Sequence, residues 1–397
     1  MCDFAESSQL HSWMFTSSLL EECRAKANQI AREYLATKKK RAEEEGRSSS
    51  SSNNLPPVES FAHGYATNKE RASEDFSGGP WNDESDHPFV TPEEEQLLVS
   101  FYTSKLPSLV GPQAQVLRLR RESKVTATAA MFLRRFYLSN SVMIHDPKAV
   151  MVAAAFLATK VEDATADVRY LEDGTNLMNA PVTQAEILPA ELALLTGINF
   201  QLLCFHPYKA VVALTEDLRT FLKSDKRIAL VDNQRIAGED LKPMYDNARA
   251  VLDDVIISDI PLLYTPGQIG LAALILANED LQKKEQTPSS GDKTETPKLP
   301  NLDLIGYIKQ RFSQEQGQEM ETIMKDLVPM LRGLKEGNHG CANHHLDMSK
   351  LKGIHKKLKK CRAWGAKKEK KSKSKKRSSA EGADGDDEPK SKKAKKE

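Results

Sequence analysis

The chain has 397 residues, 39% of them hydrophobic, and a net charge of +1, room for two ordinary domains with appendages. The charge is divided unevenly: from Lys352 onward there are 19 basic and 7 acidic residues, which leaves residues 1–351 at −11, and an acidic body is a poor general ligand for nucleic acid. Five scattered cysteines without a CxxC pair argue against a disulfide framework. The opening MCDFAESS lacks the basic-then-apolar profile of a secretory signal.

In chain order, residues 12–45 read as a helix. Ser12 or Thr16 is its cap, and Leu19, Leu20, Cys23, Ala27, Ile30, Ala31 and Tyr34 recur at three- and four-residue spacing. Residues 46–88 are Ser-, Asn-, Gly- and Pro-rich and read as a disordered insert, since such a composition buries too little surface to offset its ordering entropy. Order resumes at Thr91, where TPEEE combines a cap, a proline and three acids at the positive end of a helix dipole. A second helix over 124–138 places Val125, Ala129, Phe132, Leu133 and Phe136 on one side, with Arg134 and Arg135 read as surface charges on another.

The third helix, PKAVMVAAAFLATKVE over 147–162, opens on proline and is apolar on every side, the mark of a core helix. It is too short to cross a bilayer, which needs about 20 apolar residues. It returns 119 residues later as PGQIGLAALILANEDL over 266–281, with Glu279 where the first copy has Lys160, so a scaffold built twice is expected. Between the copies, Ile187, Leu188, Leu192, Leu195 and Ile198 read as the buried stripe of a helix that Pro189 should kink or split.

The second set of helices is expected over 207–222, 244–258, 266–281 and 302–334, with KKEQTPSSGDKTETPKLP as a surface loop. No stretch alternates in the two-residue rhythm of a strand. The fold class is therefore all-α: two tandem five-helix repeats with an extra N-terminal helix and a disordered insert and tail. The divisions are 1–45 for the N-terminal helix, 46–88 for the insert, 89–206 and 207–338 for the repeats, and 339–397 for a basic disordered tail.

No catalytic residue, cofactor or metal is expected. The chain lacks a phosphate loop, a nucleophile elbow, an HExxH pair and the kinase HRD and DFG sets, and Asp253 and Asp254 read as helix surface. His339, Cys341, His344 and His345 lie close together without the paired spacing of a zinc site. The lysine runs at 367–377 and 390–397 read as a nuclear-import signal, and the tail is the one segment expected to touch nucleic acid, weakly.

Four segments carry a resemblance to a known family. RRFYLSNSVMIHDPKAVMVAAAFLATKVED (134–163), INFQLLCFHPY (198–208) and LLYTPGQIGLAAL (262–274) resemble the two cyclin boxes of the cyclin family, in its cyclin H group. SSQLHSWMFTSSLLEECRAKAN (7–28) is similar to an N-terminal helix that other cyclins do not share. The resemblance implies a non-enzymatic regulatory subunit, bound to a cyclin-dependent kinase of the CDK-activating type, to the assembly factor of that trimer and to the TFIIH core, in the nucleus and with no membrane. It implies support for phosphorylation of CDK activation loops and of the RNA polymerase II C-terminal domain.

The family's kinase-binding lysine and glutamate map onto Lys160 and Glu191, and Trp13 and Phe15 are accessory kinase contacts of the N-terminal helix. The alternatives are another transcriptional cyclin, of the C, K or T type with a different kinase, or a TFIIB-like general transcription factor. The latter would need a basic body and a cysteine-rich ribbon.

Overall fold

The computed structural model describes residues 3–44, 89–223, 241–286, 302–311, 314–336 and 347–363. The expected insert at 46–88, most of the loop between the last two expected helices, the His/Cys cluster and the chain beyond 363 lie outside the described residues. Among those described there is no strand. The helices are α1 (Ser8–Ser12), α2 (Ser17–Glu44), α3 (Pro92–Thr103), α4 (Leu106–Val110), α5 (Ser123–Phe136), α6 (Pro147–Val161), α7 (Val168–Leu177), α8 (Gln184–Gly197), α9 (Pro207–Phe221), α10 (Lys242–Val255), α11 (Ile260–Leu263), α12 (Pro266–Gln286), α13 (Leu304–Arg311), α14 (Gln314–Lys335) and α15 (Met348–Ala363). None of them is long and apolar enough to cross a membrane.

Each repeat is organised around its alanine-rich helix. Asp146 caps α6 by accepting from the Lys148 amide at 3.0 Å, and Pro147 occupies the first helical position, where its missing N–H costs nothing. From Val150 to Thr159 every residue of α6 is buried, wrapped by α3, α5 and α8. In the second repeat α12 takes that place among α9, α10 and α14. Alanines let the surrounding helices close tightly on these two cores, and glycine does so at two crossings. A Cβ on Gly197 would meet the Phe136 ring at 2.5 Å, and one on Gly270 would meet Ala210 Cβ at 3.0 Å.

The α3 start is the expected capping box, with Thr91 Oγ1 accepting from the Glu94 amide at 3.3 Å and the Glu94 carboxylate accepting from the Thr91 amide at 2.9 Å.

Several expectations are corrected. The N-terminal helix is broken: Ser12 ends α1, and Thr16 alone caps α2, accepting from the Leu19 amide. Pro189 does not split α8, which runs unbroken through it. The stripe expected on α8 is right in part: Ile187 and Ile198 are buried and Leu195 packs against the core, but Leu188 and Leu192 are exposed, and Glu191 and Leu194 stand in the buried face. The single helix expected over 302–334 is the pair α13 and α14. They fold back on each other because Gly317 admits the chain against Lys309, whose Cα a Cβ there would meet at 3.2 Å, and Lys309 pairs with Glu321 at 2.6 Å.

The segment expected as a disordered basic tail contains a packed helix. Residues 348–363 form α15, which packs Leu351, Ile354, Leu358 and Cys361 into the first core. Lys357 pairs with Glu94 at 2.9 Å and Arg362 with Asp146 at 3.2 Å.

The two cores are joined by an ionic hub. Asp259, in the turn between α10 and α11, is buried and accepts from Arg134 of α5, from Arg24 of α2 at 2.8 Å and from Gln96 of α3 at 3.0 Å. Arg134 also donates to the Ile257 carbonyl.

Candidate partner-docking site

The two residues singled out on the first repeat meet. α6 ends with Lys160 in its last turn, where a cation suits the negative end of the dipole. α8 packs alongside and presents Glu191 from its third turn. Lys160 Nζ donates to Glu191 Oε1 at 2.7 Å and Oε2 at 3.0 Å, and lies 3.8 Å from the centre of the Phe156 ring. The lysine side chain is 42% exposed and the glutamate 12%. With the lysine half open to water the pair is partly screened; the buried glutamate anchors the ammonium in a fixed position at the rim of the surface.

Around this pair the surface is apolar. Leu188 is 52% exposed and Leu192 64%, and Phe200, just past the end of α8, is 62% exposed. Phe200 and the preceding Asn199 both sit at φ 55°, a left-handed conformation that is costly for a bulky side chain and that tends to persist at functional positions. The turn is closed by the Phe200 amide donating to the Leu195 carbonyl at 2.9 Å. The family resemblance singled out Lys160 and Glu191 but not their mutual contact, and sequence reasoning missed this strip. The signal available was Glu191 itself, since a glutamate placed between Ile187 and Leu194 on one face displaces Leu188 and Leu192 to the other.

Glu162, two residues beyond Lys160, is tied locally: it accepts from Thr128 Oγ1 at 2.6 Å, and His206 Nε2 lies 2.7 Å from the same hydroxyl. Burial, then Arg135, Lys209 and Lys124, push His206 down to about 3, so it stands neutral there.

Trp13 and Phe15, expected as accessory contacts, are core residues instead, 0% and 5% exposed. Trp13 Nε1 donates to Gln201 Oε1 at 2.5 Å, and the Arg135 guanidinium stacks 4.9 Å from its ring. The Phe15 amide donates to the Leu262 carbonyl at 2.8 Å, and Gln9 makes a two-way bond with the Phe205 backbone, 2.6 and 3.1 Å. These side chains have no surface left to offer; they fasten the N-terminal segment to both repeats. Arg134 and Arg135 are likewise buried, not surface charges. Tyr208 donates to Asp253, which stays on the helix surface.

The second repeat carries a counterpart of the pair with its signs exchanged. Glu279, in the position of Lys160, pairs with Arg332 of α14, and the adjacent Asp280 pairs with Lys335.

This geometry has relatives. Residues 114–203 match the cyclin N-terminal domain and residues 206–363 the cyclin C-terminal domain, which takes in α15. The chain belongs to the cyclin family. Within that family it is similar to cyclin H proteins. It is 28% identical to Cyclin-H1-1 of Arabidopsis thaliana over 342 residues, 83% of this chain and 89% of that one. It is 28% identical to Cyclin-H of Xenopus laevis over 274 residues, 68% of each. Among solved structures it is similar to a chain of the CAK complex from Chaetomium thermophilum bound to ATP-gamma-S, with a TM-score of 0.61 and 25% identity over 90% of this chain and 88% of that one. It shares its fold with a chain of the yeast TFIIK (Kin28/Ccl1/Tfb3) complex, with a TM-score of 0.50 and 22% identity over 83% of this chain and 100% of that one.

Proposed function

We propose that this chain is a cyclin H-like regulatory subunit that binds and activates a cyclin-dependent kinase of the CDK-activating type, and that Lys160 and Glu191 form its clamp. The observation that carries the reading is the ion pair where α6 meets α8, a half-exposed Lys160 on a largely buried Glu191, set beside the apolar strip of Leu188, Leu192 and Phe200. Phosphoryl transfer in a kinase requires a strand lysine to pair with a glutamate on the mobile C-helix. A rigid helical face that prefers the inward position of that helix shifts the kinase population toward the competent state. Moving it from 1:99 to 99:1 takes about 5.5 kcal/mol of preference. Leu188, Leu192 and Phe200 supply apolar area for that preference. The paired ammonium and carboxylate supply direction, one for carbonyls and one for amides of the kinase backbone.

On this reading the chain contributes no catalytic group, and the reacting atoms belong to the kinase. The assembly factor of the trimer and the TFIIH core are its further partners, and the activation loops of other kinases and the tail of RNA polymerase II are the substrates of the complex. The nucleus is its site of action, with import carried by the lysine runs beyond 363. Deleting those runs from a tagged chain should reduce nuclear entry when the partner kinase is absent.

The decisive test exchanges the pair, Lys160→Glu with Glu191→Lys. The exchange keeps the internal ion pair, so helicity should be kept and the melting temperature should fall only a little, by the loss of a cation at the α6 C-terminus, while the polarity shown to the kinase is inverted. Activation of the bound kinase should fall to the level of the free kinase. A fully active exchange variant would rule out the clamp.

A further inference from the structure

A cleft of about 1200 Å³ opens between the repeats, at the end of α6 opposite to its capped start. Its walls come from the loop before α5, the segment joining the repeats, the first turns of α9 and α12, and α10. Arg120, Lys124, Lys209 and Arg249 line it, in a body whose overall charge is negative. Arg121 also lines it but spends its guanidinium on the Ala164 and Thr165 carbonyls at 2.7 and 2.9 Å, and Arg120 Nε donates to the Ala114 carbonyl at 3.1 Å, which fixes the rim.

Of the two carboxylates present, Glu162 is engaged by Thr128 and lies 3.6 Å from Lys124, while Glu122 is exposed at the start of α5. Behind the wall, Arg135 is buried with Nε and Nη2 lacking hydrogen-bond partners. Its charge is felt by Cys204 and His206, both on the cleft surface. Two long helices, α5 and α9, start at this cleft, and neither has a side-chain cap on its first amides. The remaining lining includes Leu203, Phe205 and Tyr208.

We infer that this cleft is a docking site for a peptide segment bearing a phosphoserine or phosphothreonine. The volume exceeds that of one phosphate group and suits a short extended peptide. The apolar wall has a use for peptide side chains, and the cations and open helix starts for a dianion. A polynucleotide is disfavoured by the carboxylates in the rim and the acidic body around it. Glu162 belongs to the cleft and lies two residues past Lys160, so the cleft opens at the same end of α6 as the clamp. If the clamp holds a kinase, the cleft retains substrate that already carries a phosphate. The inference rests on the regulatory-subunit reading for that role only, not for the chemistry of the cleft.

The test uses the full-length chain and fluorescence anisotropy with three labelled probes: a Ser- and Pro-containing peptide with one phosphoserine, its unphosphorylated twin, and a single-stranded RNA of matched length. The phosphopeptide should bind at least about tenfold tighter than its twin, and Lys209→Glu with Arg249→Glu should remove that advantage. Both side chains are exposed, so helicity should be kept, and Lys209→Gln serves as the milder variant. The clamp exchange should leave phosphopeptide binding intact, which separates failure of this inference from failure of the clamp. Equal affinity for the two peptides, undiminished binding by the double variant, or tighter binding of the RNA would each overturn it.

Discussion

At Asp259 a single carboxylate decides how the two halves are held. Burial alone would raise its pKa, but the guanidiniums of Arg134 and Arg24 outweigh that and bring it down to about 2. A depressed carboxylate contributes stability that is complete above its ordinary value near 4 and is lost as the pH falls through 2. Asp259→Asn leaves the buried Arg134 and the half-buried Arg24 without their counter-charge, and urea titration should show a loss of about 3–5 kcal/mol. Glu95 shows the opposite sign. Burial raises it to about 8, against the lowering effect of bonds to Ser141 and Asn28. The unfolded chain ionises this group near pH 4.5 and the folded chain near 8, so stability should decline across that interval and level off above it. Glu95→Gln should flatten the slope, and denaturant titrations at pH 5 and pH 8 measure it. Neither residue was legible in the sequence. An acid in a first turn and an acid before Ile-Pro look like surface, and only the approach of distant helices makes them interior. The same holds for Arg134 and Arg135, whose partners at Asp259 and Gln201 lie far along the chain.

Among the elements, those with one clear period were readable and those with mixed signals were not. α3, α6 and α12 each open on a cap and a proline, α3 with an apolar stripe and the other two with a long apolar run, and they lie where the pattern puts them. α15 was hidden by its lysines. Leu351, Ile354, Leu358 and Cys361 do follow a helical stripe, but with so many charges between them composition outweighed period. Ile354→Asp should therefore unseat α15 and lower stability by roughly 2–4 kcal/mol, read by thermal melting. The N-terminal segment was legible as amphipathic and wrongly assigned as to what its aromatics touch. Because Trp13 reaches Gln201 and Phe15 reaches Leu262, Trp13→Ala should cost about 3–5 kcal/mol in folding. A fragment starting at Thr91 should lose kinase activation through a loosened junction. Normal activation by that fragment would show that the staple is not needed.

For the whole molecule, the duplicated core was visible because a helix apolar on all faces is rare and its recurrence rarer. The ion pair was placed through the resemblance, since Lys160 alone reads as an ordinary C-terminal cation and Glu191 as an ordinary acid. What the chain pattern did hold was the sign difference between Lys160 and Glu279. The structure extends it to a full inversion, with Arg332 opposite Glu279. The exchange Glu279→Arg with Arg332→Glu should leave activation of the kinase within about twofold of normal while the corresponding exchange on the first repeat abolishes it, a contrast measured in one phosphorylation assay.

That inversion also governs stoichiometry. Two copies of one cradle would ordinarily offer two berths, and a ligand fitted to the first would crowd onto the second at high concentration. With Lys160 and Glu191 as the proposed clamp, a helix whose ends suit an ammonium followed by a carboxylate would meet them in reverse order on the other half, and one such guest per molecule is the expected ratio.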